Sequence, residues 1–145
     1  MATAFYAGSF DPFTIGHKSV VDRALPLFDR IVIGVGVNNS KRAWQTPEER
    51  LESIRRVYAA EPRVDVVAYT DLTVDAAQRC GATVLLRGVR SAADFEYERN
   101  IADANRNISH MDSVFILALP EMSFVSSSLV RELAAFGHDY THYLP

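Results

Sequence analysis

Three kinds of segment in this chain could handle phosphate groups, and hydrogen-bond donors dominate all of them. The first is Tyr6-Ala7-Gly8-Ser9-Phe10-Asp11-Pro12-Phe13-Thr14-Ile15-Gly16-His17. Here a β-branched and aromatic opening runs through a turn of small residues into a helix start, so free backbone N–H groups meet the positive end of a helix. An anion is stabilised at such a junction. Gly8 and Gly16 allow a ligand close to the backbone, and His17 adds a ring that can donate to phosphate oxygens. The second is basic, Lys41-Arg42 and Arg87-Gly88-Val89-Arg90, and the third is Met122-Ser123-Phe124-Val125-Ser126-Ser127-Ser128, a run of hydroxyls and N–H groups ahead of a helix. Donors and cations of this kind suit a transfer in which negative charge grows on phosphoryl oxygens.

These stretches need a frame that brings them together. Short apolar runs at Thr3 to Tyr6, Arg30 to Val37, Val64 to Tyr69, Thr83 to Leu86 and Ser113 to Leu117 read as strands buried on both faces. Helical patterns fall between them. Val20, Val21, Ala24, Leu25 and Phe28 form one apolar stripe, with Pro26 loosening its last turn. Thr46, Pro47 and Glu49 form a helix start with a capping box, Gly81 ends a helix over Val74 to Cys80, and Ser91 with Asp94 opens a longer one to about Ile108. A last helix is expected over Leu129 to Phe136. This alternation predicts right-handed crossovers and a doubly wound, five-stranded parallel sheet of Rossmann-like type, one domain over residues 1–145. Ligands bind such sheets at the carboxyl ends of the strands, and the phosphate-handling stretches all follow predicted strands.

Composition sets the outer bounds. A formal charge of −3 lacks the basic excess that neutralises a nucleic-acid backbone, so no nucleic-acid partner is expected. Apolar runs are too short for a membrane span, no secretory leader is visible, and the single Cys80 fits a reducing compartment. A cytoplasmic protein without a membrane partner is the expectation. His110, His138 and His142 share neither metal-ligand spacing nor a periodic face, and no protein-bound metal is predicted.

The Thr14-Ile15-Gly16-His17 segment resembles the signature of the nucleotidylyltransferase superfamily. Asn38-Asn39-Ser40-Lys41, Thr46-Pro47-Glu48-Glu49-Arg50, Arg87-Gly88-Val89-Arg90, Asp94-Phe95-Glu96-Tyr97-Glu98, Asn105-Arg106 and the Ser123 to Ser128 run extend the likeness over nearly the whole chain. In order and spacing they are similar to the bacterial phosphopantetheine adenylyltransferase family. That resemblance implies adenylyl transfer from ATP, accompanied by Mg²⁺, to 4′-phosphopantetheine, giving dephospho-coenzyme A and pyrophosphate. It also implies a homohexamer and feedback inhibition by coenzyme A.

The resemblance assigns roles residue by residue. His17 would stabilise the transition state, with Ser9 and the Phe10 backbone aligning phosphates and Lys41 bridging the nucleophile and the α-phosphate. Arg87 would grip the phosphopantetheine phosphate, Leu72, Thr73 and Asn105 would lie along that substrate, and Gly88, Val89, Arg90, Glu98 and Met122 to Ser128 would contact ATP. Arg87 and Arg90 follow a buried strand, where a guanidinium without an anion would stand uncompensated. Nicotinamide-mononucleotide adenylyltransferases and glycerol-phosphate cytidylyltransferases share the phosphate chemistry but not the Arg-Gly-x-Arg and Asp-Phe-Glu-Tyr-Glu context. A regulatory nucleotide-binding module without turnover is the rival of another class, and His17 and Lys41 speak against it.

Overall fold

Residues 2–145 are described in a computed structural model. Five strands, β1 (Thr3–Gly8), β2 (Arg30–Gly36), β3 (Val64–Tyr69), β4 (Val84–Val89) and β5 (Asp112–Leu117), form one parallel sheet in the order β3-β2-β1-β4-β5. The order reverses between β1 and β4, the pair whose carboxyl ends carry Gly8 and Val89. A crevice opens at this switch point, as expected of a doubly wound sheet.

Two-residue alternation along each strand feeds a core on each face. Ala4, Tyr6, Ile31, Ile33 and Leu86 meet Val20, Val21 and Ala24 of α1 (Ile15–Ala24) and Ile54 of α2 (Pro47–Val57). Phe5, Ala7, Val32 and Leu85 meet Val74, Ala76 and Ala77 of α3 (Thr73–Arg79), beside which α4 (Ala92–Ser109) packs. Helix α5 (Ser127–Ala135) lies near the rim, since Ser127 Oγ donates to the Pro12 carbonyl and Arg131 Nη1 to that of Asp11.

Several element ends differ from the sequence reading. Strand β4 runs on to Val89 because Arg87, Gly88 and Val89 pair with Phe115, Ile116 and Leu117 of β5, so Arg87 is a strand residue and not a loop residue. Helix α5 begins at Ser127, with Ser126 as its N-cap accepting from the Leu129 N–H, so Ser127 and Ser128 stand in its first turn. The box at Thr46 and Glu49 forms in both directions, whereas at Ser91 only half forms. The shorter Asp94 side chain accepts from the Arg90 N–H instead. Pro26 falls in a 3₁₀ turn, and Gly81 has the left-handed φ of 76° that suits a helix end. His110 closes α4 as its left-handed C-cap at φ 62°.

Candidate active site

A cavity of about 300 Å³ occupies the crevice between the ends of β1 and β4. Ser9, Phe10 and His17 line one side, Gly88, Val89 and Arg90 another, and Met122, Val125, Ser126, Ser127 and Ser128 a third. A smaller cavity of about 150 Å³ lies on the α4 side, lined by Thr73, Asn105, Ile101 and Ala102 among others. Ala7, Arg87 and Glu98 line both. The two spaces therefore share a wall, and that wall is an ion pair.

His17 owes its position to local helix chemistry. Thr14 is the N-cap of α1, and the N3 residue that completes its capping box is His17 itself, whose Nδ1 accepts from the Thr14 N–H at 2.9 Å. With Nδ1 an acceptor, the neutral ring carries its proton on Nε2, ready to donate. Phe13 stacks on the ring at 5.4 Å and Phe10 meets it edge-on at 5.0 Å. Burial, with Arg90 and Arg87 adding repulsion, lowers its pKa to about 3. The ring is a neutral donor at physiological pH and a poor base.

The turn before it is held under strain. Phe10 is buried with φ 49°, a conformation that costs an L-residue about 1–2 kcal/mol. Gly8 makes room for it, since a Cβ there would lie 2.8 Å from the Phe10 ring. Strain of this kind persists only where neighbours over-determine the backbone. Here Arg50 Nη1 donates to the Ser9 carbonyl at 2.8 Å and Arg131 Nη1 to that of Asp11 at 2.7 Å.

Arg87 corrects one expectation of the sequence analysis. Its guanidinium is not left for an anion to compensate: Nε and Nη2 donate to the Glu98 carboxylate at 2.7 and 2.6 Å, and Nη1 donates to the Ala7 carbonyl. Glu98 is 5 % exposed, so it serves as the counter-charge of Arg87 and is not a free wall of the larger cavity. The Arg87 side chain keeps 29 % exposure and that of Glu98 only 6 %, so the buried charge that requires a partner is the carboxylate, which α4 places at the first position of the stripe Glu98, Ile101, Ala102 and Asn105. Arg90 is exposed, near Asp94 at 3.9 Å.

Other sequence-chosen residues stay outside both cavities. Lys41 is exposed in the loop after β2, with its own N–H turned onto the Asn38 carbonyl. Leu72 is exposed at the N-cap of α3, Ser123 Oγ donates to the Pro120 carbonyl, and Phe124 packs edge-on against Tyr143. Thr73 does line the smaller cavity and shares a 2.9 Å hydrogen bond with the Tyr69 hydroxyl. Tyr6, Asp94 and Arg131 line the larger cavity without having been assigned a role in the site. A signal existed for Arg131, which follows Ser127 by four residues and so shares its helix face.

Comparison with known proteins follows the same lines. Residues 5–133 match the model of the cytidylyltransferase-like family. A Porphyromonas gingivalis protein named phosphopantetheine adenylyltransferase is 49% identical over 142 residues, 98% of this chain and 93% of the relative. One of the same name from Phocaeicola vulgatus is 47% identical, covering 100% and 96%, and one from Leuconostoc citreum 42% identical, covering 96% and 88%. Among solved structures, a bifunctional NMN adenylyltransferase/ADP ribose pyrophosphatase from Francisella tularensis, complexed with AMP and a manganese ion, superimposes with a TM-score of 0.71 at 14% identity. The match covers 99% of this chain and 44% of that one, and it speaks to the fold. With the fold, the Thr14-to-His17 junction and full-length relatives in agreement, the chain belongs to the phosphopantetheine adenylyltransferases, within the cytidylyltransferase-like family.

Proposed function

We propose that the two cavities divide the substrates of an adenylyl transfer, ATP in the larger and 4′-phosphopantetheine in the smaller, with the reacting phosphates meeting at Arg87. The reaction transfers the adenylyl group of ATP to 4′-phosphopantetheine, giving dephospho-coenzyme A and pyrophosphate in coenzyme A biosynthesis. The observation that carries the division is the shared wall: Arg87 and Glu98 border both spaces.

The nucleophile is a phosphate oxygen whose second pKa is about 6, so at neutral pH most of it is dianionic and needs no base. It attacks the α-phosphorus, and the bond from that phosphorus to the oxygen bridging it to the β-phosphate breaks, with that electron pair leaving on pyrophosphate. Catalysis then consists of alignment and charge stabilisation. His17, fixed by Thr14 and neutral, donates from Nε2 to the growing charge on the α-phosphate. Ser9 and the Phe10 N–H hold the phosphates in register, Lys41 closes from its loop onto nucleophile and α-phosphate, and Arg87 exchanges part of its hold on Glu98 for the incoming phosphate. Arg90 and the Ser126 to Ser128 helix start receive the other phosphates of ATP.

Mg²⁺ enters this reading with ATP. Among the described residues no three His, Cys, Asp or Glu side chains gather into a metal site. The donor set fits an ion held by triphosphate oxygens and water, where it would neutralise the departing pyrophosphate. Coenzyme A contains both a pantetheine arm and an adenine nucleotide, which supports feedback by occupation of both cavities. A homohexamer is supported by the family resemblance and by exposed apolar side chains such as Tyr97, Ile108 and Leu117. A cytoplasmic location is supported by the free thiol of Cys80, and no described helix is long and apolar enough to cross a membrane.

The test is pyrophosphate release from ATP with 4′-phosphopantetheine, nicotinamide mononucleotide or glycerol 3-phosphate as acceptor. Phosphopantetheine should exceed the other two by orders of magnitude. Comparable rates with nicotinamide mononucleotide would overturn the assignment of the smaller cavity.

A further inference from the structure

Arg50 has no place in the chemistry described so far, yet it is the least expected buried residue of the molecule. It is 4 % exposed, on the same face of α2 as Ile54 and Tyr58, where the apolar stripe would be continued by a leucine or methionine. Among the described residues no carboxylate forms a salt bridge with it, and its Nε is buried without a partner. Burying a guanidinium without a counter-ion is costly, and an apolar side chain of similar volume would pack at least as well. Stability therefore does not account for Arg50.

Its contacts suggest another reason. Nη1 donates to the Ser9 carbonyl at 2.8 Å and to the Gly36 carbonyl at 3.3 Å. Gly36 ends β2, and the loop carrying Lys41 starts just after it. The Ser9 carbonyl belongs to the peptide that leads into the strained Phe10. In a trans peptide the carbonyl and the N–H point in opposite directions, so a Ser9 carbonyl drawn onto Arg50 turns the Phe10 N–H away from Arg50. That N–H has no protein acceptor among the described residues, and Phe10 lines the larger cavity. The loop's far end is tied to the same turn, since the Asp11 carboxylate accepts from the Trp44 and Gln45 N–H groups, both at 2.7 Å.

We propose that Arg50 is a positioning residue of the adenylyl transfer: by clamping the Ser9 and Gly36 carbonyls together it aims the Phe10 N–H at the nucleotide phosphates and sets the root of the Lys41 loop. This inference rests on the functional reading above. The guanidinium also leaves a positive charge directly behind the phosphate-handling turn, where the substrates' own phosphates are its counter-charge.

Arg50→Met and Arg50→Lys separate clamp from packing. Trp44 is the only tryptophan of the chain, so its fluorescence reports the loop directly. Loss of a charge-assisted clamp predicts kcat down about 10- to 100-fold in Arg50→Met, with KM for phosphopantetheine changed far less. Arg50→Lys, which keeps the charge and can reach one carbonyl, should recover a large part of kcat, and Trp44 should be more open to acrylamide quenching in Arg50→Met than in the wild type. A cooperatively melting Arg50→Met with wild-type kcat and unchanged quenching overturns the proposal, as does failure of both variants to fold, which would make Arg50 a determinant of folding. If the wild-type protein lacked adenylyl transfer, the functional reading would fall, while the Trp44 comparison would still decide whether Arg50 sets the loop.

Discussion

The turn after β1 and the loop after β2 stand side by side on the same rim, and they hold their catalytic candidates in opposite ways. His17 is locked by the Thr14 N–H, stacked on Phe13 and kept neutral by burial. Lys41 is exposed in a loop anchored near its two ends, at Gly36 and at Trp44-Gln45, and closed between them by the Ser40 and Lys41 N–H groups donating to Asn38. The difference follows from what each group meets. A transition-state donor works best when it needs no reorganisation at the moment of reaction, so its site is built in advance. A cation that receives an incoming dianion keeps its hydration until the ligand displaces it, because a buried lysine would tend to lose its proton.

Replacing the locked group should have the larger effect. His17→Ala should lower kcat by about 10²- to 10³-fold, the scale of one oxyanion donor, with a smaller change in ATP affinity, as read by single-turnover pyrophosphate release. A loss of only a few-fold would remove His17 from the reaction and the contrast with it.

Lys41→Ala should lower kcat/KM by about 10- to 100-fold, the worth of one charge-assisted contact. Because Lys41 works from exposed surface, its contribution should shrink as ionic strength rises, whereas that of His17 should not. Measuring both variants between low and high salt sharpens the comparison, and parallel salt curves would show that the loop closes into a buried site.

Between the two regions stands Arg87. Arg87→Ala leaves the Glu98 carboxylate buried and unpaired, which predicts a stability loss of about 1–3 kcal/mol in urea denaturation besides weaker phosphopantetheine binding. Adding Glu98→Gln should restore part of the stability and none of the affinity. Full restoration of both would mean that Arg87 serves the fold alone.

The last comparison concerns pH. His17 has its folded pKa lowered from 6.5 to about 3, so between these values the unfolded chain takes up a proton that the folded chain does not. Stability is therefore complete above about 6.5 and falls as the pH drops toward 3, by at most about 1.4 kcal/mol per pH unit from this group. His17→Asn should flatten that slope in thermal melts. The acidic limb of kcat/KM near pH 6 should persist in His17→Asn, because it belongs to the substrate phosphate, whose second pKa is about 6. Its disappearance would make His17 a titrating base and contradict the locked, neutral ring.

Much of the fold and the placement of the site were legible in the chain itself. Strand and helix alternation predicts the doubly wound sheet because buried parallel strands are continuous apolar runs, and the sheet's switch point then dictates where ligands bind. The Thr46 cap, the Gly81 helix end and the donor-rich β1 turn were equally readable, since caps and glycine turns are local chemistry. Ser9, Phe10, His17, Gly88, Val89 and Arg90 come together around one cavity as the sequence ordering suggested. What a linear chain conceals is which charges are spent on one another. Arg87 and Glu98 lie eleven residues apart on different elements, and Arg50 reaches Ser9 from 41 residues away.

The sequence by itself determined the fold class, the family and the rim on which the chemistry-bearing residues gather, because hydrophobic periodicity, caps and the Thr14-to-His17 signature act over a few residues at a time. Only the tertiary structure decided the states of those residues. Burial made His17 a neutral donor, the packing of α4 on β4 turned Arg87 and Glu98 into a wall between two cavities, and the seating of α2 under the rim put Arg50 behind Ser9. The physical reason is that solvation and charge pairing depend on neighbours in space, and for these groups the decisive neighbours are brought together only when the sheet closes its layers.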